Sequence, residues 1–547
     1  MPTVSEKNTL AGARALTRQV RGPNPASQYN GTGPSLATCL DGRSETLLPA
    51  DVCERALNAR DARFDGIFFV GIITTRVYCR PVCPARVSYH DHRRFFDTAA
   101  SAERAGFRPC LRCRPELAPG RATVDAVPRL AWVAAQRIGA GALNGGDVTQ
   151  LARELGVSDR HLRRALQREL GVSPAELAQT HRLLLAKRLL ADTSLSVTHI
   201  AFASGFQSLR RFNAAFRERY RLSPSELQRP PRPAKATRIA SRNTATPTAP
   251  ANDFIRLTLA YRAPLAWDVL MAVLRREAIP GVEEVVNGSY RRTVRINERS
   301  GVVIAEDATD TAYGPARMAG SHLNVDVSLS LLPVLMPLLA RLRQLFDLDA
   351  EPSVVDAHLE QAGLGTLVRQ RPGVRMPGAV DGFEVALRSL LGASGAATSQ
   401  LAQRVAWALG EPLDTGLPTL TRLAPSAARV AEAGASRLES LGVPPARALA
   451  IDATARRLAD GSLRLAPGDD VRAAHRALLE IEGVDDRLAA AIVMRALRWP
   501  DAFPSSDGSL QRAAGAANPK ALREKAEDWR PWRGYAAMHL WLQDDEV

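Results

Sequence analysis

Four of the six cysteines fall in two close pairs. Cys79 and Cys83 are spaced C-x3-C, and Cys110 and Cys113 are spaced C-x2-C, 27 positions further on. Two such pairs, separated by one supersecondary unit, suit a tetrahedral thiolate site for a single zinc. Chance pairs of buried thiols, or disulfides, would give the same spacing. Six cysteines in 547 residues are too few for a disulfide scaffold, which favours a reducing compartment and metal-binding or catalytic thiols. Cys39 and Cys53 lie outside the pattern. The run FDGIFFVGIITTRVYC alternates like a strand and ends at Cys79. Arg76, Arg80, Arg86, Arg108, Arg112 and Arg114 all lie within a few positions of a ligand. A zinc-held thiolate beside arginines can bind a phosphodiester-like group and act as a nucleophile.

Charge divides the chain in two. Residues 1–252 carry a net +18 and the remainder a net −3, the asymmetry expected of a protein whose first half meets a polyanion. The length suits three to four domains, and 46% hydrophobic with 24% charged residues is an ordinary globular composition. No run approaches the roughly 18 apolar residues of a membrane span. The first residues carry Arg14, Arg18 and Arg21 without an apolar core, unlike a secretory signal.

Two units between Val124 and Gln228 repeat one plan. VTQLARELGVSDRHLRRALQREL reads as helix, turn at Gly156, and a helix capped at Ser158 that exposes Arg160, Arg163, Arg164 and Arg168. In SVTHIAFASGFQSLRRFNAAFRERYRLSP the turn is at Gly205, with Arg210, Arg211, Arg217 and Arg219 on the next helix. A basic second helix after a glycine turn is the major-groove arrangement; the alternative is an amphipathic bundle with a solvated basic face. Residues 1–50 read as a loose tail, and 229–252, rich in Pro, Ala and Thr, as a basic linker. Strand patterns at FIRLTLAY, YRRTVRI and GVVIAED come next, around a helix at Trp267 to Arg276. The chain is helical from about Val354. The fold expected is multidomain α+β.

The segment from Phe64 to Glu116, with all four ligands, resembles the N-terminal domain of the Ada adaptive-response proteins. That resemblance implies that Cys79 accepts a methyl group from a DNA methylphosphotriester. Arg76-Val77 stands where the family usually has Gly-Ile. The two helical units resemble the AraC-type DNA-binding domain, with Gly205, Phe206, Ser208 and Phe212 among its more specific features. VRMPGAVDGFEVALRSLLG, LLEIEGVDDRLAAAIVMRAL, DAFPSSDGSLQRAAG and WRPWRGYAAMHLW follow the order of helix-hairpin-helix alkylbase (3-methyladenine) DNA glycosylases. There the resemblance implies that Asp507 stabilises an oxocarbenium-like sugar and that Trp541 belongs to the base pocket. As residues, Asp507 in SSDGS also suits a helix N-cap or a surface acid.

Three positions depart from the glycosylase pattern. The hairpin reads Glu482-Gly483-Val484-Asp485, which adds carboxylates where a phosphate would sit. Arg487 and Ala491 replace pocket aromatics. Ser394 stands where a bulky wedge would fill the flipped base's vacancy.

The organisation expected is a tail (1–50), a four-cysteine zinc and methyl-acceptor domain (51–122), a double helix-turn-helix domain (123–228), a linker (229–252), a glycosylase α+β domain (253–350) and an all-α helix-hairpin-helix domain (351–547). The function implied is an alkylation response. Methyl transfer to Cys79 would make the protein a transcriptional activator, and the second half would hydrolyse alkylated purines from DNA. The alternative is a DNA-binding regulator whose glycosylase half is impaired and serves as a scaffold. Expected DNA contacts are Arg80, Arg86, Arg160, Arg163, Arg164, Arg210 and Arg211. Expected partners are double-stranded DNA and RNA polymerase, with no membrane, for a monomer in a bacterial cytoplasm at the nucleoid. No Pro-Cys-His-Arg motif of an alkylguanine methyltransferase module is present.

Overall fold

The computed structural model describes residues 44–45, 48–85, 92–119, 130–228, 254–308, 321–392 and 395–544. The expectations for the linker, Arg86, Ser394 and most of the tail fall outside these residues; the end of the expected tail is ordered, with Ser44–Glu45 an edge strand of the first sheet. All the elements named below belong to the compact unit Glu45–Val547.

Helix α1 (Ala50–Ala59) precedes a small sheet. Its strand β1 (Phe69–Ile72) pairs antiparallel with β2 (Val77–Cys79) and β3 (Arg93–Phe96). The alternating run expected as one strand is therefore a hairpin. It turns at Thr74 and Thr75, with Arg76 at φ 53° in the left-handed region. That conformation explains a glycine preference at this position, since a Cβ there costs roughly 1 kcal/mol. The Arg76 guanidinium lies 5.6 Å from the Phe107 ring centroid, a cation–π contact that offsets part of the strain. Helix α2 (Ala99–Arg104) then leads into β4 (Arg108–Pro109), which pairs in parallel with β2.

The helix-turn-helix region comes next. Helix α3 (Leu130–Gly139) packs on a first helix-turn-helix, α4 (Val148–Glu154) and α5 (Asp159–Leu170). The long α6 (Pro174–Asp192) joins it to a second, α7 (Val197–Ala203) and α8 (Leu209–Tyr220). Each start has a chemical reason: Ser158 caps α5, Ser208 caps α8, and Ser173 with Glu176 forms a capping box behind Pro174. Gly205, at φ 87°, turns α7 into α8, and a Cβ there would meet the Asn144 side chain at 2.2 Å.

Beyond the linker, an antiparallel sheet runs in the order β5 (Phe254–Ala260), β9 (His322–Ser328), β8 (Arg299–Asp307), β7 (Ser289–Ile296), β6 (Glu283–Val286). Ile255, Leu257 and Leu259 of β5 pair with Val327, Val325 and Leu323 of β9, all of them buried. Helix α9 (Trp267–Glu277) packs against β6 and β7. The sheet shares one apolar cluster with the second helix-turn-helix, in which Leu189, Ile200 and Phe216 meet Leu331, Leu335 and Met336. An all-helical domain with its own core completes the chain. Its helices α10 (Gly382–Leu391), α11 (Pro445–Ala459), α12 (Val471–Leu479), α13 (Asp486–Ala496), α14 (Gly508–Ala513) and α15 (Arg533–Asp544) carry the second of the two sites. The architecture is multidomain α+β: a zinc domain, a double helix-turn-helix, an α+β domain and a helix-hairpin-helix domain. Among the described residues no helix is long and apolar enough to cross a membrane.

Candidate functional site

The β2 strand, the turn after it and the loop after β4 bring Cys79, Cys83, Cys110 and Cys113 together. Their sulfurs all lie within 4.8 Å of one another, and all four residues are buried. A tetrahedron with Zn–S bonds of about 2.3 Å has S···S edges of about 3.8 Å, so the donor set and its spacing fit zinc. Backbone N–H groups point at three of the sulfurs. Ala85 donates to Cys83, Arg112 to Cys110 at 3.3 Å and Arg80 to Cys113 at 3.4 Å. Among the described residues no N–H donates to the Cys79 sulfur.

Arg80, an expected DNA contact, is paired within the zinc domain. Its Nε donates to Asp65 at 2.8 Å, its Nη2 to the other Asp65 oxygen, and its Nη1 to the Cys113 carbonyl at 3.3 Å. The strand leaving Cys79 turns this side chain inward, where a buried carboxylate holds it.

Behind the zinc site runs a polar seam that no motif in the sequence marks. Lys187 of α6 donates to the Cys110 carbonyl at 3.3 Å and pairs with Glu116 at 2.5 Å. Arg114 makes two bonds of 2.7 Å to Asp192. Glu103 accepts from Tyr78 at 3.1 Å and Thr180 at 2.9 Å, and pairs with Arg219 at 3.2 Å. Arg219 is thereby turned away from the outer face of the helix-turn-helix domain. A lysine inside the apolar run LLLAKRLL is the one local signal of a buried partner. On that outer face, Arg160, Arg163 and Arg164 of α5 and Arg210 and Arg211 of α8 are exposed.

The second site is a cleft of about 530 Å³ in the helical domain, lined by Asp507, Arg447, Arg487, Arg512, Ser389 and others. Asp507 is the N-cap of α14. Its Oδ1 accepts from Ser509 N and Leu510 N at 3.1 Å each, from Ser509 Oγ, and from Trp541 Nε1 at 3.4 Å. Asp507 thus caps its helix and also faces the cleft. Among the described residues no donor reaches Oδ2. Asp501, six positions earlier, differs in kind: it is buried and held by Arg533 at 2.7 and 3.0 Å.

The hairpin between α12 and α13 keeps its glycine, Gly483 at φ 86°. Asp485 is the N-cap of α13, accepting from Leu488 N at 2.8 Å, and Asp486 lies 3.3 Å from His475 Nε2. The Asp485 carboxylate therefore serves the helix start as well as adding charge to the hairpin. Arg487 lines the cleft, and Ala491 supplies no ring. Arg447 and Arg512 were not foreseen, because nothing in their local sequence marks them.

Three family models match: the metal binding domain of Ada over residues 52–116, a helix-turn-helix domain over 151–230, and the AlkA N-terminal domain over 256–381. A Mycobacterium tuberculosis protein, the probable bifunctional transcriptional activator/DNA repair enzyme AlkA, is 38% identical over 496 residues, spanning 89% of this chain and 95% of that one. This chain belongs to the bifunctional AlkA family. DNA-3-methyladenine glycosylase 2 of Escherichia coli is 32% identical over 289 residues, 52% of this chain and 97% of that protein. The bifunctional transcriptional activator/DNA repair enzyme Ada of E. coli is 30% identical over 165 residues, 30% of this chain and 45% of that protein. As in its family, the chain joins a transcription-factor half to a DNA-repair half, and its four-cysteine cluster is a zinc site.

Proposed function

We propose that this bifunctional AlkA-family chain senses alkylated DNA by accepting one methyl group on Cys79, reports it through the double helix-turn-helix, and removes alkylated bases at the Asp507 cleft. The observation that carries the sensing half is the Cys79 sulfur, which accepts no N–H among the described residues. Hydrogen bonding to a thiolate lowers its nucleophilicity, so the ligand that no N–H reaches among the described residues is the strongest nucleophile of the four. Bound zinc keeps the four thiolates deprotonated at neutral pH. Cys79 Sγ attacks the methyl carbon of a methylphosphotriester. The S–C bond forms as the C–O bond breaks, and its electron pair leaves on a phosphodiester oxygen. The product thioether is stable, so the transfer is stoichiometric.

Methylation turns a thiolate into a neutral thioether and removes one negative charge from the site. At about 8 Å from a DNA phosphate that is worth on the order of 2 kcal/mol at an effective dielectric near 20, before screening. With Arg80 neutralised by Asp65, the positive contribution to DNA affinity falls to the exposed Arg160, Arg163, Arg164, Arg210 and Arg211, set on two helices for successive major grooves. RNA polymerase is the protein partner of this activator reading, and the chain acts as a monomer.

In the cleft, Asp507 supplies negative charge beside the sugar of a flipped nucleotide as positive charge develops there. Its Oδ1 is fixed by four donors and its Oδ2 remains for the substrate. The absence of aromatic rings from the described cleft lining favours a second reading, in which this half is a scaffold. Two assays test the proposal on full-length protein. Operator affinity should rise after reaction with methylphosphotriester DNA, and equal affinity before and after, across a salt series, contradicts the sensing half. Abasic-site formation on methylated DNA should be slowed by roughly 10²–10³-fold by Asp507→Asn; inert wild-type protein would support the scaffold reading.

A further inference from the structure

We propose that Ser509 is a positioning residue for Asp507, whose hydroxyl holds the carboxylate on its helix and off the arginines that share the cleft. The inference rests on the reading that Asp507 stabilises the sugar cation during base excision, and it names what keeps that charge in place.

A helix N-cap needs only backbone N–H groups. Asp507 has them: Ser509 N and Leu510 N each donate to its Oδ1 at 3.1 Å. Two side-chain donors reach the same oxygen, Ser509 Oγ and, from α15, Trp541 Nε1 at 3.4 Å. Neither is needed to start α14. Among the described residues the Ser509 hydroxyl makes no other hydrogen bond. The terminal torsion of an aspartate is broad, so the two backbone bonds alone leave the carboxylate free to rock. Donors from two further directions narrow that motion, and Oδ2 is left as the oxygen that no donor reaches among the described residues.

The surroundings make this restraint matter. Three guanidinium groups, Arg447, Arg487 and Arg512, line the cleft with Asp507. Arg512 Nη1 lies 3.6 Å from where a Cβ on Gly508 would stand, beside the aspartate itself. A loose carboxylate among such cations would swing into an ion pair and be neutralised before a sugar arrives. Among the described residues Asp507 pairs with none of them. Arg447 donates to the Leu391 carbonyl at 2.6 Å, Arg487 lies 3.9 Å from Asp485, and Arg512 has partners of its own. A guanidinium takes a carboxylate best through both oxygens, and the four donors on Oδ1 deny it that geometry. In hydrolysis the bond from C1′ to the base nitrogen breaks, its electron pair goes to the base, and a water oxygen bonds to C1′ while its proton passes to solvent. Positive charge rises on the sugar in between, and an unpaired Oδ2 held at one place stabilises it.

The test uses the full-length zinc protein and single-turnover excision from a duplex carrying one 7-methylguanine. Ser509→Ala removes the hydroxyl and leaves both backbone donors. The saturating rate should fall on the order of tenfold, with the half-saturating protein concentration and the denaturant midpoint unchanged. Ser509→Thr keeps the hydroxyl and should return most of the rate. In an Asp507→Asn background Ser509→Ala should cost nothing further, because the group it positions is gone. An unchanged rate in Ser509→Ala overturns the proposal. So does a loss shared equally by the Ala and Thr variants, or one that persists in the Asp507→Asn background; either makes Ser509 a structural residue only. If wild-type protein leaves 7-methylguanine in place, the excision reading fails and binding decides. Duplexes with a cationic pyrrolidine in place of one sugar are then compared with duplexes carrying a neutral tetrahydrofuran there. A preference for the cation that Ser509→Ala reduces severalfold sustains the positioning role. A preference equal in the two proteins, or none in either, overturns it.

Discussion

In the zinc domain, four side chains spaced over 35 positions of sequence meet with their sulfurs within 4.8 Å. In the base cleft, Asp507 sits among arginines drawn from three different helices, and Trp541 reaches it through Nε1 while no aromatic ring is among the described lining residues. The two sites answer to different physics. A metal site is defined by its ligands, so losing one destroys it. A pocket is a sum over a wall, and it can keep its carboxylate while its wall changes character. That is why the zinc site and its domain stand or fall together, whereas the cleft can keep its frame while the residues of its wall differ.

The largest effect should come from breaking the zinc site. Cys110→Ala removes one of four ligands, and structural zinc contributes on the order of 10 kcal/mol to small domains. The protein should lose stoichiometric zinc in metal analysis, and the segment around β1 to β4 should become sensitive to protease while the helical domain stays resistant. Retention of one zinc per chain would break the comparison.

Two aspartates sharpen it from the other side. Asp501→Asn breaks a buried pair with Arg533 and should cost about 3–5 kcal/mol of stability, read as a lower denaturant midpoint. Asp507→Asn should leave the midpoint within about 1 kcal/mol, since Asn caps helices as well as Asp, yet slow excision by roughly 10²–10³-fold. Equal effects of the two changes on stability would mean that Asp507 is only a cap.

Acid should weaken the helical domain. His539 is 1% exposed with an unpartnered Nδ1, and burial holds its pKa down at about 4, against an ordinary 6.5. The unfolded chain binds the proton first. Stability from this residue is therefore whole above pH 6.5 and falls away as pH drops toward 4, by on the order of 3 kcal/mol. His539→Leu should flatten that part of the stability profile; an unchanged slope would assign the acid sensitivity elsewhere.

The smallest effect concerns the β1–β2 turn. Arg76→Gly relieves a left-handed backbone but gives up the contact with Phe107, terms of about 1 and 0.5 kcal/mol that oppose one another. The net change in thermal midpoint should be a stabilisation of no more than a few degrees. A large loss would mean that the cation–π contact dominates.

Legibility in the sequence followed the range of the interaction. Spacing alone gathered the cysteines, and the glycine turns, with a serine cap at Ser158, marked α5 and α8. In the β-domain the runs FIRLTLAY, YRRTVRI and GVVIAED announced three strands. The short edge strand Glu283–Val286 and the strand His322–Ser328 were not singled out, although Leu323, Val325 and Val327 of the latter do alternate. The pairing of Arg80 with Asp65 was not foreseen, because a charge count cannot tell which arginine meets that carboxylate. Asp507 was found by resemblance, and only coordinates could add that one of its oxygens is saturated. Lys187, Glu103, Arg447 and Arg512 depend on contacts between distant segments, to which local pattern is blind.

Cys79, the one ligand without an N–H donor among the described residues, is where DNA damage should first be registered. The direct measurement is peptide mass spectrometry of full-length zinc protein after reaction with a duplex carrying a single methylphosphotriester. One methyl group per chain, on the peptide bearing Cys79 and abolished in Cys79→Ser, is the result expected. Methyl transfer to Cys83, Cys110 or Cys113, or no transfer by protein holding its full complement of zinc, would contradict it.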